Sequence, residues 1–253
     1  MSEPNDRYRA PALDKGLDIL ELLAEQPQGL TRAEIVKAMG RSPSEIYRML
    51  ERLVARHYVA RSREGDRYAL SLKLFVLGNR HPPVERLVAR ALPAMDAFAK
   101  AAEQSCHLGI YDRGNIVVVA QVSGPANWGL SIRLGVRVSL MDTGSGHVML
   151  AFQSEQQRAQ MRAEHEVLDG EVPLSAAELG RILGGIRALG HWQGESQQAF
   201  GITDLSMPIL GPDGHALAVL TCPFIRRIDR HVSAGLDAAR ELLKHAVGSL
   251  SLV

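Results

Sequence analysis

The side chains best suited to chemistry in this chain are the basic and small polar groups between positions 41 and 73. This segment holds eight Lys and Arg residues against four Asp and Glu residues, a local charge of +4, whereas the whole chain carries +1. Basic side chains neutralise phosphates, and arginines and small polar groups reach base edges in the major groove. The segment therefore predicts a surface that binds double-stranded DNA, with a solvated basic face as the alternative.

The segment from Ser42 to Tyr58 predicts the helix that carries this surface. Ser42 suits an N-cap, Pro43 suits the first turn, and Glu45 stands three residues after Ser42, as in a capping box. Apolar residues at positions 46, 49, 50, 53 and 54 recur at helical spacing and form one stripe. The polar and basic residues lie mostly off that stripe, so the exposed face is suited to a major groove.

Elements on both sides of this helix would position it on DNA. Residues 12–24 predict a first helix, with a broader apolar side than one neighbour requires. Thr31 caps a second short helix that Gly40 ends, so the second and third helices form a helix-turn-helix. Alternating residues 58–61 and 67–70 predict the two strands of a basic wing. The predicted DNA contacts are Thr31, Arg32, Ser42, Ser44, Glu45, Tyr47, Arg48, Arg52, Arg61, Arg63 and Arg67.

A second candidate site is the glycine-containing turn from Met141 to His147, which precedes an apolar helix. Free N–H groups at a helix start bind anions, and glycines let a ligand approach the backbone. Gly144, Ser145 and Gly146 are therefore candidate contacts for a metabolite carboxylate, and a tight loop with a serine cap is the alternative. The spacing is not a dinucleotide fingerprint, because no third glycine follows in place and no βαβ unit frames it.

The sequence contains no constellation for catalysis or metal binding. GxSxG, P-loop and HExxH motifs are absent, and the nine histidines are scattered. Cys106 and Cys222 form neither a CxxC motif nor a disulfide framework, which predicts buried structural thiols in a reducing compartment. No segment resembles a signal peptide or a membrane span. We expect a cytoplasmic protein that is not an enzyme and has no cofactor, metal or membrane partner.

The second half of the chain predicts an antiparallel sheet with helices packed on its faces, and hence an α+β fold. Strands are predicted at 107–111, 116–122, 202–209 and 216–223, with a further strand at Leu130–Leu134 and a loop at Val136–Leu140. Helices are predicted at 145–152, 155–164, 176–189 and 229–249. Two more, at 72–78 and 84–104, connect the halves, and Pro93 is expected to kink or restart the second of these.

Three stretches of the chain together resemble a known family, the IclR-type bacterial transcription regulators. They are ALDKGLDILELLA, GLTRAEIVKAMGRSPSEIYRMLERLVARHYVAR and GDRYALSLKLFVLG, and the resemblance extends over nearly the whole chain. It implies an N-terminal winged helix-turn-helix domain and a C-terminal GAF-like effector-binding domain. On this basis residues 1–11 are assigned to a flexible tail, 12–71 to the winged helix-turn-helix domain, 72–92 to a linker helix region and 93–253 to the GAF-like domain.

The resemblance also assigns roles to single residues. Ser44, Tyr47 and Arg48 match positions near the start of the family's recognition helix, whereas Glu45 replaces the small hydroxyl residue usual there. Glu45 either caps its own helix or accepts a hydrogen bond from a cytosine amino group. His147 stands at a position that is commonly a lysine in the family. By resemblance, the other walls of the effector pocket are Trp128, Leu130, Val138, Glu195, Asp204, Thr221 and Pro223.

The predicted function is that of a DNA-binding transcriptional regulator controlled by a small metabolite, with an organic or aromatic acid as the expected class. Such a protein would bind its operator as a homodimer or a dimer of dimers. One alternative is an enzyme built on the C-terminal domain, which requires a catalytic constellation. The other is a ligand-independent DNA-binding protein, which requires a second domain without a pocket. The Leu-Thr-Cys-Pro stretch at 220–223 departs from the family's serine-rich strand ending, which leaves room for an unusual effector.

Overall fold

The computed structural model describes residues 10–62, 66–80, 82–125, 129–228, 231 and 233–252. The chain divides into two compact units, Met1–Pro82 and Pro83–Val253. Helix α5 runs from Pro82 to Ala102, belongs to the second unit from Pro83 onwards, and has Pro93 inside it. The helix therefore continues through the proline instead of restarting there, and the predicted domain start at residue 93 falls inside it.

The N-terminal unit consists of helices packed on a small antiparallel sheet. Its elements in chain order are α1 (Pro11–Ala24), β1 (Leu30–Thr31), α2 (Arg32–Met39), α3 (Pro43–Ala55), β2 (Val59–Arg61), β3 (Arg67–Leu70) and α4 (Lys73–Asn79). The sheet has the order β1-β3-β2, and both neighbouring pairs are antiparallel. This arrangement confirms the predicted winged helix-turn-helix and adds strand β1 to it. The wing tip at 63–65 lies outside the described residues.

The apolar stripe of α3 lies at the centre of this unit's core. Ile46 and Leu50 have no exposed surface, and they pack in one cluster with Ile19 and Leu23 of α1 and Ile35 of α2. Full burial of a side chain of this size contributes about 1.5–3 kcal/mol to stability. The core therefore fixes which face of α3 is turned towards solvent.

The C-terminal unit is built on a six-stranded sheet, as far as the described residues extend, in the order β6-β5-β4-β9-β8-β7, and every pair is antiparallel. Its elements after α5 are β4 (Cys106–Asp112), β5 (Asn115–Val122), β6 (Arg137–Ser139), α6 (Gly144–Ala151), α7 (Glu155–Ala163), α8 (Ala176–Leu189), β7 (Trp192–Glu195), β8 (Ile202–Leu210), β9 (Ala216–Ile225) and α9 (Leu236–Leu250). The α+β fold class predicted from the sequence is confirmed.

Helices cover both faces of this sheet. Leu220 of β9 packs in a cluster with residues of α5 and α9, whereas the adjacent Val219 packs in a second cluster with residues of α6 and α8. Because successive side chains of a strand point to opposite faces, the two clusters lie on opposite sides of the sheet. The buried helix α6 is thus pressed against one face, and the second candidate site lies at its start.

Three details of the predicted sheet and the predicted start of the last helix are wrong or incomplete. Leu130–Leu134 is not a strand, and the last apolar residue of its alternating pattern, Leu134, is 65% exposed. The neighbouring stretch predicted as a loop contains β6, in which Ser139 pairs with Asn115 of β5. Strand β7, which pairs with β8 at the sheet edge, is an addition to the prediction. The last helix begins at Leu236, later than predicted.

Gly146→Ala should destabilise the C-terminal unit, because a Cβ atom there would lie 2.3 Å from the backbone oxygen of Leu140. We expect a loss of about 1–3 kcal/mol in the free energy of unfolding, as at other overpacked sites. Gly184→Ala in α8 is the matched control, since nothing lies within 4 Å of the added Cβ atom; removing a helical glycine there should stabilise by about 0.5–1 kcal/mol. Urea unfolding followed by the fluorescence of Trp128 and Trp192 measures both, and equal midpoints would contradict the close approach.

Candidate functional site

The exposed face of α3 is the first candidate site. Ser44, Tyr47, Arg48 and Arg52 are all exposed, on the helix whose other face is buried in the core. The guanidinium of Arg32 on α2 lies 5.5 Å from the centroid of the Tyr47 ring. This cation–π contact joins the outer surfaces of α2 and α3 into one polar and basic face.

Glu45, on the first turn of α3, is occupied by contacts inside the N-terminal unit. Its carboxylate accepts hydrogen bonds from the Ser42 hydroxyl at 2.7 Å and the Ser42 backbone N–H at 3.3 Å, and it forms an ion pair with Lys15 of α1. The hydrogen bond from Lys15, followed by those from Ser42, lowers the pKa of Glu45 to about 2. Of the two roles that the sequence left open, this geometry favours capping over a contact to cytosine.

Thr31 and Arg67 also make contacts within the unit. The Thr31 hydroxyl accepts from the Glu34 N–H at 3.3 Å, and the Glu34 carboxylate accepts from the Thr31 N–H at 2.7 Å, which completes the predicted capping box of α2. Arg67 donates to the backbone oxygen of Gly29 at 2.9 Å and lies 3.7 Å from the Glu34 carboxylate. Strand β3 is therefore tied to the start of α2, and both residues have a structural function.

The wing carries two further predicted contacts. Arg61 is exposed at the end of β2, and its guanidinium lies 5.6 Å from the centroid of the Tyr68 ring. Arg63 lies outside the described residues. The described part of the wing therefore presents Arg61 on the surface, held against an aromatic side chain of the core.

The second candidate site lies at the start of α6, where the backbone is held closely. Every residue of this helix is buried. Thr143 is the N-cap, and its hydroxyl accepts from the Gly146 N–H at 3.1 Å. A Cβ atom at Gly144 would lie 2.4 Å from Cδ1 of Trp192, so only glycine allows the helix start to approach β7 this closely.

A chain of buried hydroxyl groups fastens α6 to the sheet. The Ser145 hydroxyl lies 2.8 Å from that of Thr221 on β9, and Thr221 donates to Ser206 on β8 at 2.8 Å. Because the Thr221 proton is used towards Ser206, Ser145 donates to Thr221. Ser145 and Thr221 therefore satisfy each other inside the protein, and Ser206, which the sequence prediction did not include, completes the chain.

A cavity of about 120 Å³ opens beside this helix start. Part of the lining of this cavity is apolar, and the rest consists of Gly144 and of residues with carboxyl, amide or imidazole groups. The apolar walls are Val172, Leu174, Ile182 and Trp192. The remaining walls are Asp142, Gly144, His147, Glu195, Gln197 and Asp204. Apolar walls with a few placed polar groups are typical of small-molecule sites.

Two of the residues that line the cavity also have a buried side-chain atom without a protein partner. Asp142 and His147 are 2% and 3% exposed, and their Oδ1 and Nδ1 atoms have no hydrogen-bond partner among the described residues. The other atom of each group is used, since Asp142 Oδ2 accepts from the Val172 N–H at 2.8 Å and His147 Nε2 lies 2.7 Å from the Met141 oxygen. Buried polar groups without a partner are rare in proteins and call for an explanation.

The loop between α7 and α8 forms one side of the cavity and is anchored at several points. His165 bridges two groups, with Nδ1 2.7 Å from the Gly114 oxygen and Nε2 2.9 Å from the Glu171 carboxylate. The same loop then reaches Asp142 through the Val172 N–H. These contacts hold the apolar loop residues against the cavity.

Asp204 is the titratable wall whose protonation is most affected by its surroundings. Burial, the largest cause, raises the pKa of this carboxyl group to about 6, although a hydrogen bond with Ser196 acts in the opposite direction. The carboxyl group is therefore partly desolvated and changes charge just below neutral pH. Such a group in a cavity is a candidate for ligand binding.

The structure brings some predicted pocket residues to this cavity and places others elsewhere. Gly144, Glu195 and Asp204 line it. Gly146 packs against the backbone of Leu140, and Val138 packs against the cluster of α6 and α8.

The remaining predictions are away from the cavity walls or outside the described residues. Leu130 is half-buried in the segment before β6, and Pro223 is buried on β9 opposite Asp204. Trp128 lies outside the described residues. The walls that the sequence did not indicate are Asp142, Val172, Leu174, Ile182, Trp192 and Gln197. Of these, Asp142 belongs to the turn that the sequence singled out, whereas the others come from distant segments without a local signal.

Comparison with known proteins decides the family. The profile of the IclR helix-turn-helix domain matches residues 12–63, and the profile of the bacterial transcriptional regulator IclR C-terminal domain matches residues 84–252. The chain belongs to the IclR family of bacterial transcriptional regulators. The resemblance noted in the sequence is thereby confirmed, and this IclR-family chain is a DNA-binding transcriptional regulator.

Individual members of the IclR family resemble the chain over most of its length. The HTH-type transcriptional regulator KdgR of Escherichia coli (strain K12) is 27% identical over 237 residues, which cover 90% of this chain and 89% of KdgR. The crystal structure of Thermotoga maritima IclR gives a TM-score of 0.75 at 23% identity, covering 94% of this chain and 96% of that chain. An IclR homologue from Microbacterium hydrocarbonoxydans, solved with 4-hydroxybenzoate, gives 0.75 at 18% identity, covering 95% and 97%.

Within the part of the chain that the structure describes, no group of three or more His, Cys, Asp or Glu residues could hold a metal ion. No helix in the described ranges has the length and apolar character to cross a membrane.

Asp204→Asn should stabilise the protein at neutral pH, because its raised pKa means that the folded state favours the neutral form. The cost of ionising the buried group is absent below about pH 4, grows as the pH rises to about 6, and is constant above that. We expect the variant to gain on the order of 1–3 kcal/mol above pH 6 and little at pH 4. Urea unfolding across this range measures the difference.

The control for this prediction is Asp213→Asn in the turn between β8 and β9. A hydrogen bond from the His215 side chain is the largest cause that lowers the pKa of Asp213. This carboxylate is therefore favoured in the folded state, and its removal should not stabilise the protein at any pH. If both variants gained the same amount of stability with the same pH dependence, ionised Asp204 would destabilise the folded protein no more than Asp213 does.

Proposed function

We propose that this regulator contacts its operator through the exposed face of α3 and that a small metabolite binds in the cavity beside α6 and changes the DNA affinity. The observation that carries the second part is a cavity whose lining includes Asp142 and His147, two buried residues that each have a polar atom without a hydrogen-bond partner among the described residues. A ligand can shift an equilibrium between two conformations only by the difference in its affinity for them.

The proposed DNA contacts on α3 are exposed polar residues that do not fix the ends of the helices or the position of the wing. Ser44, Arg48 and Arg52 are exposed and belong to the helix that a helix-turn-helix inserts in the major groove. Tyr47 and Arg32 extend this face. Ser42, Glu45, Thr31 and Arg67 contribute by fixing the ends of the helices and the position of the wing. Arg61 and Arg63 remain proposed phosphate contacts on the wing.

The buried polar groups in its lining support the cavity as a binding site. A buried acceptor without a partner costs about 1–3 kcal/mol, and such a cost is uncommon unless a ligand or ordered water removes it. The desolvated Asp204 adds a second cost in the same cavity. The homologue solved with 4-hydroxybenzoate supports the binding of a small molecule by a protein of this fold.

We infer that the chain acts as a regulator in the cytoplasm, where bacterial DNA lies, and not as an enzyme. The relatives named above are transcriptional regulators, which supports this assignment. The proposed partners are operator DNA and a small effector, with no cofactor.

We further propose that the protein is at least a homodimer, with a dimer of dimers as the larger form. Leu13 and Leu17 on α1 are 61% and 46% exposed, so this helix presents apolar surface that its own core does not bury. Winged helix-turn-helix proteins commonly bind two half-sites as dimers. Sedimentation velocity at micromolar concentration should detect a dimer, and a monomer under those conditions would contradict the proposal.

Arg48→Ala should weaken binding to the operator by about 1–3 kcal/mol if the guanidinium contacts a base, with a smaller loss on random DNA. If it contacts a phosphate, binding to all sequences should weaken and the dependence on salt should become shallower. Fluorescence anisotropy on a duplex selected from a random library, and on an unselected duplex, measures both at several salt concentrations.

Arg162→Ala on α7 is the matched control, since this arginine is also exposed but lies in the C-terminal unit. It should leave the affinity and the salt dependence unchanged. If Arg48→Ala behaves in the same way, α3 is not the helix that contacts DNA.

Leu174→Trp should abolish the response to effector, because the larger side chain would fill the cavity that Leu174 lines. A thermal-shift screen of small metabolites on the wild-type protein identifies the ligand, and DNA binding is then measured with and without it. Val167→Trp, in the same loop but at a side chain that is 77% exposed, should respond like the wild type. A ligand that shifts both variants and the wild type equally would place the effector site elsewhere.

A further inference from the structure

We propose that the effector of this cavity is a small organic cation, whose ammonium group is attracted by the carboxylates of the lining and whose short carbon chain lies against the apolar walls. This inference rests on the proposed function of the cavity as the effector site and adds the chemical class of the ligand. It differs from the organic acid that the sequence favours.

The charged groups in the described lining of the cavity are all acidic. Asp142, Glu195 and Asp204 belong to it, and no lysine or arginine is among the lining residues that the structure describes. His147 adds no positive charge, because burial lowers the pKa of its imidazole and the ring is neutral at physiological pH. The described lining therefore carries up to three negative charges and no positive side chain.

Asp204 lies on the face of the sheet that α6 covers. It stands two residues before Ser206, which belongs to the chain of hydroxyl groups that fastens α6, and residues two apart on a strand point to the same face. Its neighbours across the sheet are Gly194 on β7 and Pro223 on β9, and neither has a side-chain donor. Burial raises the pKa of Asp204, and the contact that lowers it is a hydrogen bond with the neutral Ser196. Within the described residues, no cationic side chain balances this charge.

Asp142 contributes a second charge that has neutral partners. It is 2% exposed, and its Oδ2 atom accepts from the Val172 backbone N–H at 2.8 Å and from the Gln198 amide at 3.4 Å. Its charge attracts a cation in the cavity without direct contact, because Coulomb interactions extend over several ångströms where the dielectric constant is low. The positive end of the α6 dipole opens at Gly144 on the same cavity, but it amounts to about half a charge and offsets only part of the acidic lining.

The arrangement of the lining favours an organic cation over a metal ion. In the described ranges, no group of three or more His, Cys, Asp or Glu residues is placed to hold a metal ion. A metal ion requires several ligand atoms within about 2–2.6 Å, whereas an ammonium group is attracted over longer distances and can donate up to three separate hydrogen bonds. The apolar part of the lining, formed by Val172, Leu174, Ile182 and Trp192, suits a carbon chain and not a hydrated ion.

The size of the cavity limits the ligand to a few atoms. Its volume is about 120 Å³, and a cavity of about 150 Å³ is sufficient for benzene. An amine of three or four carbons is therefore of the right size.

The test compares three probes with a chain of three carbons on the full-length protein: propylammonium, 1-propanol and propionate, which are cationic, neutral and anionic. Isothermal titration calorimetry and ligand-observed NMR in the millimolar range measure their affinities at about pH 7.5, where Asp204 is ionised. An opposite charge about 4–6 Å away shifts the pKa of a carboxyl group by about 1–3 units, and each unit corresponds to a tenfold difference in affinity. We expect propylammonium to bind at least about tenfold more tightly than either other probe.

Asp204→Asn tests the role of charge at nearly unchanged shape. Propylammonium binding should weaken about tenfold or more, and 1-propanol binding should stay the same. Because this variant is expected to be more stable than the wild type at this pH, unfolding would not explain the loss. Asp213→Asn, in the exposed turn between β8 and β9, is the matched control and should change neither affinity. Leu174→Trp, which fills the cavity, should remove propylammonium binding.

Three results would overturn the organic cation. The first is binding of 1-propanol or propionate as tight as that of propylammonium, or no binding of propylammonium in the millimolar range. The second is an Asp204→Asn variant that keeps its propylammonium affinity. The third is propylammonium binding that survives in Leu174→Trp, because the cation would then lie outside the cavity.

The proposed function is tested separately by the effector that the metabolite screen identifies. A neutral or anionic effector that Leu174→Trp blocks would overturn the cation class and leave the cavity as the effector site. An effector that still acts on Leu174→Trp would refute the cavity as the effector site, whatever the affinities of the three probes.

Discussion

The close approach of α6 to the sheet is the constraint on which the C-terminal unit depends. Every residue of the helix is buried, and a Cβ atom at Gly144 or Gly146 would collide with Trp192 or with the backbone of Leu140. The hydroxyl groups of Ser145, Thr221 and Ser206 then fix the helix in register with strands β8 and β9. Because the helix start cannot withdraw without breaking these contacts, Asp142 before it and His147 within it are held on the wall of the cavity.

The N-terminal unit has polar residues of two kinds, those that make contacts inside the unit and those that are exposed on α3. Ion pairs and caps inside the unit engage Glu45, Thr31 and Arg67, so these side chains set the positions of the helices and the wing. The buried stripe of α3 directs Arg48 and Arg52 outwards. The residues with contacts inside the unit and the residues exposed on α3 are thus different members of one short segment, although the sequence alone assigns all of them to the same surface.

Local signals account for what could be predicted from the sequence. The helix Ala176–Leu189 has the predicted bounds, because Ser175 and Glu178 form a capping box at its start and Gly190 adopts a positive φ at its end. Strands β6 and β7 could not be predicted in this way, since they are short edge strands defined by pairing with β5 and β8. The same distinction applies to the cavity. The turn before α6 is marked by its own glycines, whereas Val172, Ile182 and Trp192 reach the cavity from segments that only the fold brings together.

The small size of the cavity places a demand on how a ligand could control DNA binding. A molecule that fits about 120 Å³ has roughly six non-hydrogen atoms, and at a ceiling of about 1.5 kcal/mol per atom it gains at most about 9 kcal/mol. Moving a two-state equilibrium from 1:99 to 99:1 requires about 5.5 kcal/mol of difference in affinity between the states. Most of the binding energy must therefore come from contacts that exist in one state only. Two buried acceptors, each costing about 1–3 kcal/mol when unpartnered, are of the right size to supply that difference. They supply it where only one of the two states gives these atoms a hydrogen-bond partner, while α6 itself stays in place.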